Sequence, residues 1–159
     1  MFTKINYDGP IQAQYNTLAT QLDALLTGES DQTANLSNAS ALLNAFLSNI
    51  NWVGFYIMKE GELVLGPFQG LPACVRIPGG RGVCGTAVAQ KATVVVEDVH
   101  AFPGHIACDA ASNAEIVIPL IKNDEVIGVL DIDSPIKKRF SKEDQAGLEA
   151  FVDVLMKHI

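Results

Sequence analysis

Apolar residues recur at spacings of four and three along Ile11, Tyr15, Leu18, Leu22 and Leu25, until Gly28 interrupts them. That period keeps one face of an α-helix apolar, so a helix is predicted here with its end set at the glycine. A second helix is predicted from Leu36, Ala39, Leu42, Leu43, Phe46, Leu47 and Ile50, which share one broad face. At Trp52 the period changes to two. Trp52–Met58 is rich in aromatic and branched residues, and Glu60-Gly61 offers a turn into Leu63–Phe68, the pattern of a β-hairpin. Two stronger strands follow at Glu115–Lys122 and Val126–Asp133, joined at Asn123-Asp124 and closed off by Pro135. The last helix is predicted to start at Ser141 as N-cap, with Asp144 at the third helical position and Leu148, Phe151, Val152 and Leu155 as its buried stripe.

Between the hairpin and the last strands, Gln69–Asn113 is irregular and rich in Gly and Pro. It holds a brief strand at Ala73–Ile77, a short helix near Thr86–Gln90 and a strand at Thr93–Val96. Irregular segments of this length inside a compact domain usually carry function.

Alternation along the strands sorts the side chains. Trp52 and Tyr56 fall on one face, with Val53, Phe55 and Ile57 on the other, and Asp131 and Asp133 lie opposite Leu130 and Ile132. One sheet face is therefore polar and aromatic. Glu115 shares the face of Val117. A plain two-residue turn would pair it with Ile132, so bringing it beside Asp131 and Asp133 requires a three-residue turn or a bulge at Asn123–Glu125. The expected architecture is α+β: one antiparallel sheet with the terminal helices on one face, and the Gln69–Asn113 loops and short helices closing a pocket over Trp52, Tyr56 and Asp131 on the other.

The chain has 159 residues, the length of one domain, so 1–159 is expected to be a single unit. A net charge of −7 with scattered cations excludes a phosphate-binding stripe, which argues against nucleic acid and anionic membranes as partners. No apolar run approaches the roughly 18 to 20 residues needed to cross a bilayer. Small cationic or zwitterionic ligands fit better. Three cysteines, an odd number, cannot form a closed set of structural disulfides. With no leader-like start, the expected compartment is the cytoplasm, where thiols stay reduced unless they do chemistry. Cys74, Cys84 and Cys108 are thus candidate reagents.

Gly80-Arg-Gly-Val-Cys-Gly85 matches the G-x-G-x-x-G pattern. Yet the preceding strand is short, carries Arg76 and is stopped by Pro78, whereas a dinucleotide fold needs a long buried first strand. Cys84 sits among small residues and reads as a buried packing cysteine. Zinc could be assembled from Cys74, Cys84, Cys108, His100 and His105, but no C-x-x-C or H-x₃-H pair anchors it, so no metal is expected. Cys108 lies in a loop with no period to explain burial. A nearby His100 or His105, and a short helix starting just after it, would favour its thiolate while Asp109 opposes it, which makes Cys108 the candidate nucleophile. Asp131 and Asp133, on a mostly apolar strand, are expected to bind something.

The runs Trp52-Val-Gly-Phe-Tyr56, Gly66-Pro-Phe-Gln-Gly70, Ala73-Cys-Val-Arg-Ile-Pro78, Gly80-Arg-Gly-Val-Cys-Gly-Thr86, His105-Ile-Ala-Cys-Asp-Ala-Ala-Ser112 and Gly128-Val-Leu-Asp-Ile-Asp133 closely resemble the free methionine-R-sulfoxide reductases, which have the GAF fold. The resemblance is dense from Ile50 to Asp133. It places Gly80–Gly85 in the GAF glycine turn, which removes the dinucleotide reading. It implies Cys108 as catalytic cysteine, Cys74 as the main resolving cysteine and Cys84 as a second resolving cysteine or a bystander. It also implies that Glu115, Asp131 and Asp133 handle the substrate ammonium and the proton, with Asp133 and Glu115 mattering most, and that Trp52 and Tyr56 wall the pocket. No bound cofactor is implied. Thioredoxin is the implied external reductant, and helices at both ends are available to a homodimer. A stand-alone GAF sensor and a thiol peroxidase are the competing readings.

Overall fold

The computed structural model describes residues 2–159. Helix α1 (Ile11–Leu26) and helix α2 (Gln32–Phe46) precede the hairpin of β1 (Trp52–Lys59) and β2 (Glu62–Gly70). Then come β3 (Arg76–Ile77), α3 (Gly82–Gln90), β4 (Val94–Val96) and a 3₁₀ turn at Val99–Ala101. Strands β5 (Ala114–Lys122) and β6 (Glu125–Ser134) and helix α4 (Lys142–Leu155) complete the chain. The six strands form one antiparallel sheet in the order β3-β2-β1-β6-β5-β4. This is the expected α+β architecture.

Most boundaries follow the sequence pattern, and the departures have local causes. Helix α2 stops at Phe46, so Ile50 packs on the core from the connection rather than from the helix. The strand expected at Ala73–Ile77 is reduced to Arg76–Ile77, because the carbonyls of Leu71 and Cys74 accept from the Trp52 and Tyr56 side chains rather than from a neighbouring strand. Helix α3 begins four residues earlier than expected, at Gly82, whose φ of +65° is a conformation side chains resist. A Cβ at Gly82 would press on Ile106 at 3.2 Å, so the glycine also admits the loop that carries Cys108.

The two sheet faces bury two apolar clusters. Val53, Phe55, Ile116, Ile118, Leu130 and Ile132 meet α1, α2 and α4 on one side. Phe55, Leu130 and Ile132 are fully buried, each contributing about 1.5–3 kcal/mol relative to exposure. Trp52, Tyr56, Val117 and Val129 face the other way, onto Val83, Cys84 and Ala87 of α3. Helix α4 carries the expected capping box, in which Ser141 Oγ accepts from Asp144 N and the Asp144 carboxylate accepts from Ser141 N. Tyr15 Oη donates to Asp144 Oδ1 at 2.7 Å, and Gly147 leaves room for the Tyr15 ring, which locks α1 against α4.

Register decides where Glu115 points. The turn at Asn123-Asp124 has two residues, both at positive φ, and pairs Lys122 with Glu125. Continued regularly, it would set Glu115 opposite Ile132. Instead Leu120 pairs with Gly128 and Ile121 with Val126, leaving Ile127 as an extra residue. The bulge therefore lies beyond the turn, at Ile127 rather than within Asn123–Glu125, and Glu115 pairs with Asp133.

Candidate active site

On the face opposite the terminal helices, Trp52, Tyr56, Cys84, His105, Cys108, Glu115, Asp131 and Asp133 line one pocket. Three adjacent strands supply its floor. Trp52 pairs with Asp133 and Gly54 with Asp131 across β1 and β6, while Glu115 and Val117 of β5 pair with Asp133 and Asp131. Alternation then aims all these side chains to the same side. The indole of Trp52, 3% exposed, stacks on Phe68 at 5.2 Å and on Tyr56 at 5.8 Å between ring centres, giving the pocket a rigid aromatic wall.

Two loops close over this floor and meet in a disulfide between Cys74 and Cys108, with Cα atoms 5.6 Å apart, inside the range such a bond requires. The Cys74 loop is tied to the aromatic wall: Trp52 Nε1 donates to the carbonyl of Leu71 at 3.2 Å and Tyr56 Oη to the carbonyl of Cys74 at 2.9 Å. The Cys108 loop is tied to Asn51, whose Nδ2 donates to Asp109 Oδ2 and Ser112 Oγ, both at 3.0 Å. The helix expected after Cys108 is absent. A turn takes its place, in which Asp109 Oδ1 accepts from Ala111 N, so no helix N-terminus acts on the Cys108 sulfur.

The carboxyl groups are buried side by side. Glu115 and Asp131 are each 6% exposed. Burial, reinforced by the charges of Asp131 and Asp133, pushes the Glu115 carboxyl well above the usual carboxylate range. Asp133 is pushed up in the same way, by burial first and then by Asp131. Burial also raises Asp131, but hydrogen bonding from Glu115 and Cys84 offsets it. Three buried carboxyl groups so close together thus favour the protonated form, above all at Glu115 and Asp133. Asp131 Oδ1 is buried without an amine, amide or hydroxyl donor. His105 Nε2 lies 3.8 Å from Glu115 Oε1, and burial, reinforced by His100 and opposed by Asp131, lowers its pKa.

Cys84 is buried, as its small neighbours suggest, and burial raises its thiol pKa further. Its sulfur and oxygens of Glu115 and Asp131 lie within 4.8 Å of one another, a spacing that could hold a metal ion. Of the zinc set considered from sequence, Cys74 and Cys108 are bonded to each other. Sequence reasoning brought forward every side chain of the floor but missed Asn51 and the two hydrogen bonds to the Cys74 loop. Asn51, directly before the first strand residue, carried no signal of its own.

The GAF domain family model matches residues 21–159. The free methionine-R-sulfoxide reductase of Escherichia coli (strain K12) is 57% identical over 143 residues, covering 90% of this chain and 87% of that protein. This chain belongs to the GAF domain family and, within it, to the free methionine-R-sulfoxide reductases. The reductase of that name from Saccharomyces cerevisiae is 41% identical, with 96% of this chain and 91% of the yeast protein covered. The X-ray structure of the free methionine-R-sulfoxide reductase from Neisseria meningitidis in complex with its substrate superposes with a TM-score of 0.94 at 42% identity, over 99% of this chain and 95% of that one. Membership places the glycine turn at the start of α3 in a GAF domain rather than a nucleotide-binding fold. Among the described residues no helix is long and apolar enough to cross a membrane.

Proposed function

We propose that this chain reduces free L-methionine-R-sulfoxide to methionine, with Cys108 as nucleophile and Cys74 as the resolving cysteine. The observation that carries this reading is the disulfide of Cys74 and Cys108 closing over a pocket whose floor gathers the buried carboxyl groups of Glu115, Asp131 and Asp133. Asp131 Oδ1 meets the substrate ammonium, a group that peptide-bound methionine sulfoxide lacks. Trp52 and Tyr56 pack against the methyl and the partly positive sulfur.

The Cys108 thiolate attacks the sulfoxide sulfur, and the oxygen can be transferred only if it gains a proton. Glu115, with Asp133 beside it, supplies that proton. One thiolate, one sulfoxide and one proton become the Cys108 sulfenic acid and methionine, the sulfur of Cys108 being oxidised by two electrons as that of the substrate is reduced. The Cys74 thiol then condenses with the sulfenic acid, releasing water and forming the disulfide. Thioredoxin, with two thiols, returns both cysteines to the reduced state and becomes a disulfide itself. No bound cofactor enters these steps, and Cys84 remains a buried bystander or a second resolving thiol. The reducing cytoplasm is the compartment that fits. A second copy of the chain against α1 and α4 is the further partner this reading adds.

NADPH consumption with thioredoxin and its reductase tests it, using free methionine sulfoxide, a blocked peptide analogue and peroxide in turn. Turnover of the free amino acid well above both others is expected. Equal turnover of the blocked analogue would remove the ammonium from recognition, and a preference for peroxide would mark a thiol peroxidase.

A further inference from the structure

Leu71 and Val75, at 66% and 61%, are the most exposed large hydrophobic residues among those described, and they flank Cys74 with exposed Pro72 between them. Isolated aliphatic residues on a surface need no explanation, but a pair that brackets a redox-active sulfur does. Neither side chain lines the substrate pocket. The backbone between them cannot turn them inward, because its carbonyls are held at three points: Leu71 by Trp52 Nε1, Cys74 by Tyr56 Oη and Val75 by the N–H of Leu65 at 2.8 Å. The apolar side chains are thus presented to solvent by a loop anchored on the sheet.

We propose that Leu71–Val75 is the docking surface for a protein dithiol reductant, which it guides onto the sulfur of Cys74; the proposal rests on the thioredoxin-recycled reductase reading above. The occupant follows from the chemistry within the patch. A disulfide sulfur is opened by a thiolate, and a small thiol needs no apolar platform, whereas a protein must bury surface around its reactive group to bind there. Charge selects the sulfur. Asp109 follows Cys108 directly and repels an incoming thiolate, whereas Cys74 stands between uncharged Ala73 and Val75. Attack on Cys74 Sγ breaks the bond to Cys108, which leaves as a thiolate, the form it needs for the next substrate. The second thiol of the reductant then attacks its own bonded sulfur and expels Cys74 as a thiolate, which takes up a proton. The reductant departs as a disulfide, two electrons having passed to the enzyme.

The experiment compares wild type with the double variant Leu71→Ser, Val75→Ser, cycling free methionine sulfoxide with either thioredoxin, its reductase and NADPH, or dithiothreitol. The expected result is a KM for thioredoxin raised about 10-fold or more, with the dithiothreitol-driven rate and the KM for sulfoxide unchanged. An unchanged KM for thioredoxin overturns the docking surface, as does an equal loss with both reductants, which would assign the segment to the chemistry or the fold. Wild type that cycles with dithiothreitol but not with thioredoxin overturns the reductant reading itself, and the docking proposal with it.

Discussion

The phenol of Tyr56 donates a 2.9 Å hydrogen bond to the carbonyl of Cys74, so a residue of the substrate pocket holds the backbone of the cysteine that closes the disulfide. The link joins two stages of one cycle. Tyr56→Phe keeps the ring and removes the bond. Release of the first methionine should proceed as in wild type, whereas disulfide formation should slow by about 10-fold, the effect of roughly 1.4 kcal/mol. Trapping of the Cys108 sulfenic acid by dimedone, followed by mass spectrometry, reads the delay. A disulfide that forms at the wild-type rate would show that the bond has no part in resolution.

The two bonded cysteines should separate by the stage they block. Cys108→Ser should abolish reduction, because serine is not ionised at neutral pH. Cys74→Ser should release about one methionine per chain and then stall as a sulfenic acid on Cys108. Quantifying methionine without added reductant distinguishes the two. Sustained cycling in Cys74→Ser, with a disulfide mapped between Cys84 and Cys108, would transfer the resolving role to Cys84.

Glu115→Gln should lower kcat/KM by more than about 10-fold, or roughly 1.4 kcal/mol of transition-state stabilisation. The same substitution has a sign-determined effect on stability. Burial and neighbouring charge raise the Glu115 pKa in the folded state, so between its unfolded value of about 4.3 and that raised value the folded state holds the extra proton. Stability from this group is therefore present at low pH and lost as pH rises through the folded pKa. Glutamine does not titrate, so the thermal midpoint of Glu115→Gln relative to wild type should climb from pH 5 to pH 8. A pH-independent difference would contradict the buried, protonated carboxyl.

Deleting Ile127 removes the residue that carries the bulge. With the two-residue turn retained, Ile121 would still pair with Val126 and Leu120 with Gly128, so Glu115 would keep Asp133 as its partner and no strand would exchange faces. The deletion variant should therefore still unfold cooperatively and retain activity, and Ile127→Ala should leave activity within about threefold. Circular dichroism melts and the reductase assay check both. An unfolded or inactive deletion variant would mean that Ile127 does more than offset the two-residue turn.

The sequence by itself determined the elements and their faces, because periods of 3.6 and two are imposed by backbone geometry and visible in residue order. Leu18 and Leu22 in α1, the capping box of Ser141 and Asp144, and the opposed faces of Trp52 and Val53 were all readable in that way. Cys108 and the aspartates were legible for the opposite reason: a cysteine in an irregular loop and carboxylates on an apolar strand contradict their surroundings. Tertiary structure alone decided the rest. Alternation left Glu115 undetermined between two registers, and the bulge at Ile127 chose one, since bulge position depends on packing against β1 and the helices rather than on the turn residues. The turn in place of a helix after Cys108 and the bonds from Asn51, Trp52 and Tyr56 to the two cysteine loops join residues up to 61 positions apart. Such bonds leave no periodic trace along the chain, because each exists only once the sheet has brought its partners within hydrogen-bonding distance.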